Sequence, residues 1–126
     1  MSAKPDSSKM EYRYLGPTGL KVSVVSWGNW VNNASDQLTK DSVKFCLEHG
    51  INFFDTAEVY GQGGAEISLG KAFKELNVQR EKVVVSTKIF NIGPDPNDSF
   101  LSRKHIIEGL RNSLKRLQLD YVDVVF

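Results

Sequence analysis

Three polar residues stand at the ends of apolar, strand-like segments and carry complementary chemistry. Asp55 follows residues 51–54 and opens the stretch that reaches Tyr60, and Lys88 closes residues 83–87. A lysine carried to the end of a buried strand needs a carboxylate partner, and Asp55 is the nearest candidate. A cation beside Tyr60 favours the phenolate and makes the tyrosine a competent proton donor to a developing alkoxide. The set therefore predicts the chemistry of carbonyl reduction.

The elements that must position these residues are short strands and one-faced helices. Four runs rich in β-branched or aromatic residues begin at positions 24, 51, 83 and 122, and most are apolar on both faces, as buried parallel strands are. Between them, apolar residues recur at helical spacing and predict helices with one buried face. Those segments are 43–47, 69–76 and 106–117, with Gly50 as a helix C-cap and Ser99 or Ser102 as an N-cap.

The order of elements is a β-hairpin over residues 12–22 followed by β-α-β-α-β-α-β, which predicts a parallel sheet with right-handed crossovers. An open doubly wound sheet and a closed (β/α)8 barrel both fit, but units of roughly 30 residues favour the barrel. The predicted fold is α/β, the N-terminal half of a (β/α)8 TIM barrel. Residues 1–10 are predicted to form a disordered tail and residues 11–126 a partial domain. In either architecture the carboxyl ends of the strands gather the reactive groups.

Composition argues against several function classes. The 16 basic and 15 acidic residues are dispersed and leave a net charge of +1, so neither nucleic acid nor an anionic membrane is an expected partner. No apolar run approaches the ~18 residues of a membrane span. The single Cys46 and the polar N-terminus predict a cytoplasmic setting. Cys46, His49 and His105 are too few for a metal site, so they are predicted to be a core cysteine and two surface histidines.

A second interpretation concerns the glycine-rich stretch at residues 61–66, which follows a strand and opens a helix like a dinucleotide-binding loop. The third glycine position is occupied by Glu66, and five residues separate Asp55 from Gly61. Neither feature fits the tight turn of that fingerprint, so a Rossmann-type site is not favoured. Basic residues of the predicted helices are assigned to their solvent-facing sides. They are Lys71, Lys74, Arg111, Lys115 and Arg116.

Several longer motifs, covering about residues 11–126, resemble the aldo-keto reductases. The sequence reads YLGPTGLKVS at 14–23, GINFFDTAEVYG at 50–61, STK at 86–88 and LSRKHIIEGL at 101–110. The helix that begins SRKHIIEGL, together with YVDVVF at 121–126, is similar to the branch that contains the voltage-gated potassium-channel β subunits. The resemblance implies a (β/α)8 barrel that moves hydride from NADPH to an aldehyde or ketone.

The resemblance also implies catalytic roles for three residues. Tyr60 matches the proton donor, Lys88 the residue that tunes it, and Asp55 the partner of the lysine. The family's fourth catalytic residue is usually His and is Asn in channel β subunits. It lies just beyond the fourth strand, and the chain ends at Phe126 before reaching it.

Cofactor contacts are implied in the same way. Asn29 and Trp30 match the pair after the first strand, where the family more often has Thr-Trp. Asp55 is counted with them. Gln37 matches a further contact, in a region that is about one helical turn shorter than in the channel subunits. The cofactor expected from these matches is NADP(H).

Two further functions stay open beside the reductase. The channel-subunit branch implies a regulatory β subunit that uses NADPH as a sensor, with a potassium channel's cytoplasmic domain as its partner and with homo-oligomers compatible. Alternatively, the chain is a non-catalytic fragment. The expectation is a truncated chain that is inactive alone, because the family's fourth catalytic residue and the loops that hold the NADPH phosphates lie beyond it. Half a barrel also has two open edges, so the chain is expected to aggregate or to pair with another half.

Overall fold

The computed structural model describes residues 9–30 and 35–126, and it begins with the predicted hairpin. Strand β1 (Tyr12–Tyr14) pairs antiparallel with β2 (Lys21–Ser23). The turn between them contains a 3-10 segment, Gly16–Thr18, and ends at Gly19, whose φ of 78° is left-handed. Most of the predicted tail, residues 1–8, lies outside the described residues.

Four parallel strands form the sheet that carries the rest of the fold. They are β3 (Trp27–Gly28), β4 (Phe53–Asp55), β5 (Val84–Thr87) and β6 (Val124–Val125), hydrogen-bonded in that order. Each strand therefore neighbours the next one along the chain, as in a (β/α)8 barrel, whereas a doubly wound sheet reverses its order part-way. In the described residues, β3 and β6 are the two edges.

The first predicted strand was placed too early. Val24 and Val25 are exposed, and β3 begins only at Trp27. The backbone N–H of Val24 donates to the carbonyl oxygen of Glu11, so this part of the run extends the hairpin. This segment continues the hairpin because Glu11, the residue directly before β1, supplies the carbonyl acceptor.

Three helices connect the parallel strands. Helix α1 spans Asp36–Glu48, α2 spans Gly64–Glu75 and α3 spans Arg103–Leu117. The predicted N-cap is confirmed at Ser102, whose hydroxyl accepts from the N–H of His105. The C-cap of α1 is His49, one residue before the predicted Gly50, which follows it with a φ of 80°. Only glycine takes that left-handed conformation without steric cost, and it lets the chain turn from α1 directly into β4.

The core lies between the sheet and the three helices. Gly70 brings α2 against α3, because a Cβ atom there would collide with the Leu117 carbonyl group. Cys46 is buried as predicted, and burial raises the pKa of its thiol. The core residues are Val43, Cys46, Phe54, Leu69, Ala72, Phe73, Val83, Val85 and Leu117.

The buried face of α3 differs from the predicted one. Ile106 and Ile107 are exposed, whereas the stripe facing the protein consists of His105, Gly109, Ser113 and Leu117. Small and polar residues occupy this face because two buried carboxylates, described below, pack against it. The prediction from apolar spacing was wrong for Ile106 and Ile107 and is confirmed for Leu117, which is fully buried.

Candidate active site

The carboxyl ends of β4 and β5 bring Asp55 and Lys88 together. Asp55 is the last residue of β4 and pairs in register with Ser86, and Lys88 directly follows β5. Lys88 Nζ donates to Asp55 Oδ2 at 2.6 Å and to the carbonyl oxygen of Thr56 at 2.9 Å. Ser86 Oγ donates to Asp55 Oδ1 at 2.6 Å. Both carboxylate oxygens therefore accept hydrogen bonds, and the ammonium group is fixed at the carboxyl end of the sheet.

Tyr60 lies beside the same ammonium group. Lys88 Nζ is 4.9 Å from the centroid of the Tyr60 ring, within the range of a cation–π contact. The side chains of Asp55 and Lys88 are 29% and 32% exposed, so a small molecule can reach them. Among the described residues no group hydrogen-bonds the Tyr60 hydroxyl. The arrangement places a phenol beside a fixed cation at the solvent-accessible carboxyl end of the sheet.

The residues matched to cofactor contacts lie in three different surroundings. Asn29 is 1% exposed and Nδ2 donates to the carbonyl oxygen of Ala65 at 2.8 Å. Asn29 Oδ1 is buried and has no partner within the described part of the chain. Trp30 is 72% exposed. Gln37 is exposed on α1, where Nε2 donates to Asp41 Oδ1 at 2.9 Å.

A buried pair that the sequence did not predict joins Glu58, two residues before Tyr60, to His105 on α3. Glu58 is 1% exposed, and Oε1 accepts from the backbone N–H of Phe90 at 2.6 Å. The same oxygen is 2.8 Å from His105 Nε2. The prediction of a surface histidine is wrong for His105, because its imidazole is buried against the Glu58 carboxylate.

A second buried carboxylate corrects another prediction. Glu66 is 0% exposed, and Oε1 accepts from Thr87 Oγ1 while Oε2 accepts from Arg116 Nε, both at 2.6 Å. Arg116 also donates to Ser113 Oγ at 3.1 Å. Arg116 is thus not on the solvent-facing side of α3. The stripe of small and polar residues at positions 105, 109 and 113 is the sequence signal for these two contacts.

Across residues 9–30 and 35–126, no group of three or more His, Cys, Asp or Glu side chains could hold a metal ion. None of the described helices is both long and apolar enough to cross a membrane.

Comparison with known proteins finds one sequence family and two curated relatives with a more specific description. A sequence model of the aldo/keto reductase family matches residues 24–126. Proteins from Arabidopsis thaliana and Oryza sativa subsp. japonica, each described as "Probable voltage-gated potassium channel subunit beta", are 52% identical over 120 residues, which is 93% of this chain. The chain spans 37% of the length of each of these relatives. The resemblance to the reductase family and its channel-subunit branch is confirmed.

Solved structures agree with the sequence relatives. The holo form of an aldo-keto reductase from Bacillus halodurans superposes with a TM-score of 0.80 at 33% identity, covering 92% of this chain and 39% of that protein. The predicted fold, part of a (β/α)8 barrel behind a hairpin, is confirmed.

Proposed function

Because the chain belongs to the aldo/keto reductase family, we propose that it contributes the proton-donating part of a site that reduces aldehydes or ketones with NADPH. The observation that carries this proposal is the position of Lys88 Nζ, which lies between the Asp55 carboxylate and the Tyr60 ring. An oxidoreductase family and this local geometry point to the same chemistry.

Each of the three residues has a distinct role in the proposal. Tyr60 donates its phenolic proton to the carbonyl oxygen as negative charge develops there. Lys88 favours the resulting phenolate by its positive charge. Asp55 positions the ammonium group and offsets its desolvation, because a partly buried cation without a partner is unfavourable.

The proposed cofactor is consistent with one unusual feature of the site. Reductases of this family generally use NAD(P)H, which supplies the hydride when it is bound. Asn29 Oδ1 is a buried acceptor that lacks a donor among the described residues, an imbalance that calls for an explanation such as a functional role, and the neighbouring Trp30 is 72% exposed to a ligand. We assign Asn29, Trp30, Asp55 and Gln37 to cofactor binding, with NADPH as the preferred form.

The test is the Tyr60→Phe substitution in the full-length protein as its gene encodes it. Oxidation of NADPH and of NADH is followed with a panel of aldehydes and ketones. Loss of the proton donor should lower kcat by about 10²- to 10⁴-fold. Tyr121→Phe is the matched control, because Tyr121 is an exposed tyrosine that precedes β6, at the amino end of a strand and not at the carboxyl ends that carry Asp55 and Lys88. An inactive wild-type protein that Tyr60→Phe leaves unchanged would contradict the proposal.

A second candidate function is favoured by the two plant relatives described as potassium-channel β subunits. In this function the chain would belong to a cytoplasmic regulatory subunit that senses NADPH and binds the cytoplasmic domain of a voltage-gated potassium channel. Co-purification of the full-length protein with that domain would support it, and sedimentation of the free protein would show whether it forms homo-oligomers. Failure to co-purify would remove this candidate.

A further inference from the structure

We propose that Glu58 and His105 are positioning residues that hold the Tyr60 segment against the end of β5. This inference rests on the proposed reductase function and adds two residues to it. Neither side chain is accessible from solvent at the carboxyl end of the sheet, since the exposed fraction is 1% for Glu58 and 5% for His105. Both act through Tyr60 and Lys88.

The first link is made by the backbone of Glu58. The N–H of Glu58 donates to the carbonyl oxygen of Lys88 at 3.2 Å, and Glu58 lies two residues before Tyr60. One hydrogen bond therefore joins the strand end that carries the lysine to the turn that carries the tyrosine.

The second link is made by the carboxylate. Glu58 Oε1 accepts from the N–H of Phe90, two residues after Lys88, and contacts His105 Nε2 on α3. Glu58 thus fastens three segments to one another. Because the carboxylate is sealed from water, solvent cannot replace a lost partner, and deleting the acceptor would leave the Phe90 N–H unsatisfied.

Helix α3 is shaped to present the imidazole to Glu58. Ser102 Oγ accepts from the backbone N–H of His105 at 3.0 Å, which fixes the first turn of the helix. One turn later, a Cβ atom at Gly109 would lie 3.1 Å from Glu58 Oε2, so glycine provides the space for the carboxylate. The cap, the histidine and the glycine thus place the imidazole against Glu58 Oε1, while Glu58 Oε2 is buried and has no hydrogen-bond partner among the described residues.

The experiment compares Glu58→Ala, Glu58→Gln and His105→Leu in the full-length protein. Glu58→Ala should lower kcat by about 10- to 100-fold, because displacements near 1 Å in an active site have effects of that size, while KM for NADPH stays unchanged. The amide hydrogen of Phe90 should exchange faster. Glu58→Gln retains a carbonyl acceptor, so its kcat and its Phe90 amide exchange rate should stay close to those of the wild type. His105→Leu should cause a smaller loss, since the bond to Phe90 remains.

Glu108→Ala is the matched control, because it removes the exposed pair of Lys104 and Glu108 on the same helix. The inference would be overturned if Glu58→Ala had the same kcat and the same Phe90 amide exchange rate as the wild type. It would also be overturned if Glu108→Ala changed both quantities as much as Glu58→Ala does. If circular dichroism shows that Glu58→Ala does not fold, unchanged exchange and kcat in His105→Leu would overturn it instead. An inactive wild-type protein would refute the reductase function, whereas the exchange measurement would still test the positioning role.

Discussion

Two carboxylates on opposite faces of the sheet are bound in the same way but differ in exposure. Asp55 accepts from a hydroxyl, Ser86 Oγ, and from a cation, Lys88. Glu66 accepts from the adjacent hydroxyl, Thr87 Oγ1, and from a cation, Arg116. Successive side chains of a strand point to opposite faces, so β5 serves both carboxylates.

The difference between the two groups lies in solvent access and in the choice of cation. The Asp55 group is about one-third exposed and ends in a lysine, whose single ammonium can also approach Tyr60. The Glu66 carboxylate is fully buried under α3 and pairs with arginine, which stays charged and donates to Ser113 as well. Ion pairing alone therefore does not distinguish the two groups, whereas solvent access and the neighbouring Tyr60 ring do.

The largest effect should come from removing the exposed cation. Lys88→Met should lower kcat for carbonyl reduction by about 10²- to 10⁴-fold, because Tyr60 loses the charge that favours its phenolate. The fold should survive, since Asp55 keeps its bond to Ser86 and contact with water. NADPH oxidation and circular dichroism measure the two outcomes.

A double variant sharpens the same point. Residues that act as one catalytic unit give non-additive losses, so Tyr60→Phe combined with Lys88→Met should be little worse than Tyr60→Phe alone. Multiplicative losses would mean that the lysine acts independently of the tyrosine. Lys115→Met, on the exposed side of α3, controls for loss of a positive charge.

Removing the buried cation should affect stability instead. Arg116→Met leaves Glu66 buried without its charged partner and should lower the free energy of unfolding by about 3–5 kcal/mol. The kcat of the molecules that remain folded should not change. Urea unfolding of the full-length protein gives the first quantity and active-site titration the second.

Two further variants show whether the loss of stability in Arg116→Met comes from losing the ion pair or from leaving the Glu66 charge unpaired. Arg111→Met, an exposed arginine on the same helix, should change stability by no more than about 0.5 kcal/mol. Replacing both partners, by Glu66→Leu with Arg116→Met, should recover much of the loss, because apolar substitutes for a buried pair are often tolerated. A loss in the double variant that equals the sum of two single losses would contradict this account.

The smallest effect is expected at an exposed carboxylate. The hydrogen bond from Lys71 and then that from Ser68 hold the pKa of Asp36 below its ordinary value. A lowered pKa in the folded state stabilises the fold above the unfolded-state pKa, and the effect is lost as pH falls through the folded-state pKa. Asp36→Asn should therefore lower the urea midpoint slightly at neutral pH and not in acid below that pKa. An equal shift at both pH values would refute this assignment.

Local rules predicted the frame of the site well. The Val-rich run before Lys88, the cap at Ser102 and the turn at Gly50 each depend on neighbours within a few residues, and the structure contains all three. Val24 and Val25 were misassigned because the partner of that segment, Glu11, lies across a hairpin. The assigned roles of Asn29, Trp30 and Gln37 in cofactor binding remain predictions.

The sequence by itself determined that Asp55 and Lys88 meet, because parallel strands joined by right-handed crossovers place their carboxyl ends at one edge. Only the tertiary structure decided which charged residues are buried. His105 meets Glu58 from 47 positions away and Arg116 meets Glu66 from 50. Helical spacing places such residues on a face, but the partner that faces them is set by the packing of α3 on the rest of the chain. The same packing buries Glu58 and Glu66 against α3 while Asp55 and Lys88 stay accessible at the carboxyl ends of the strands.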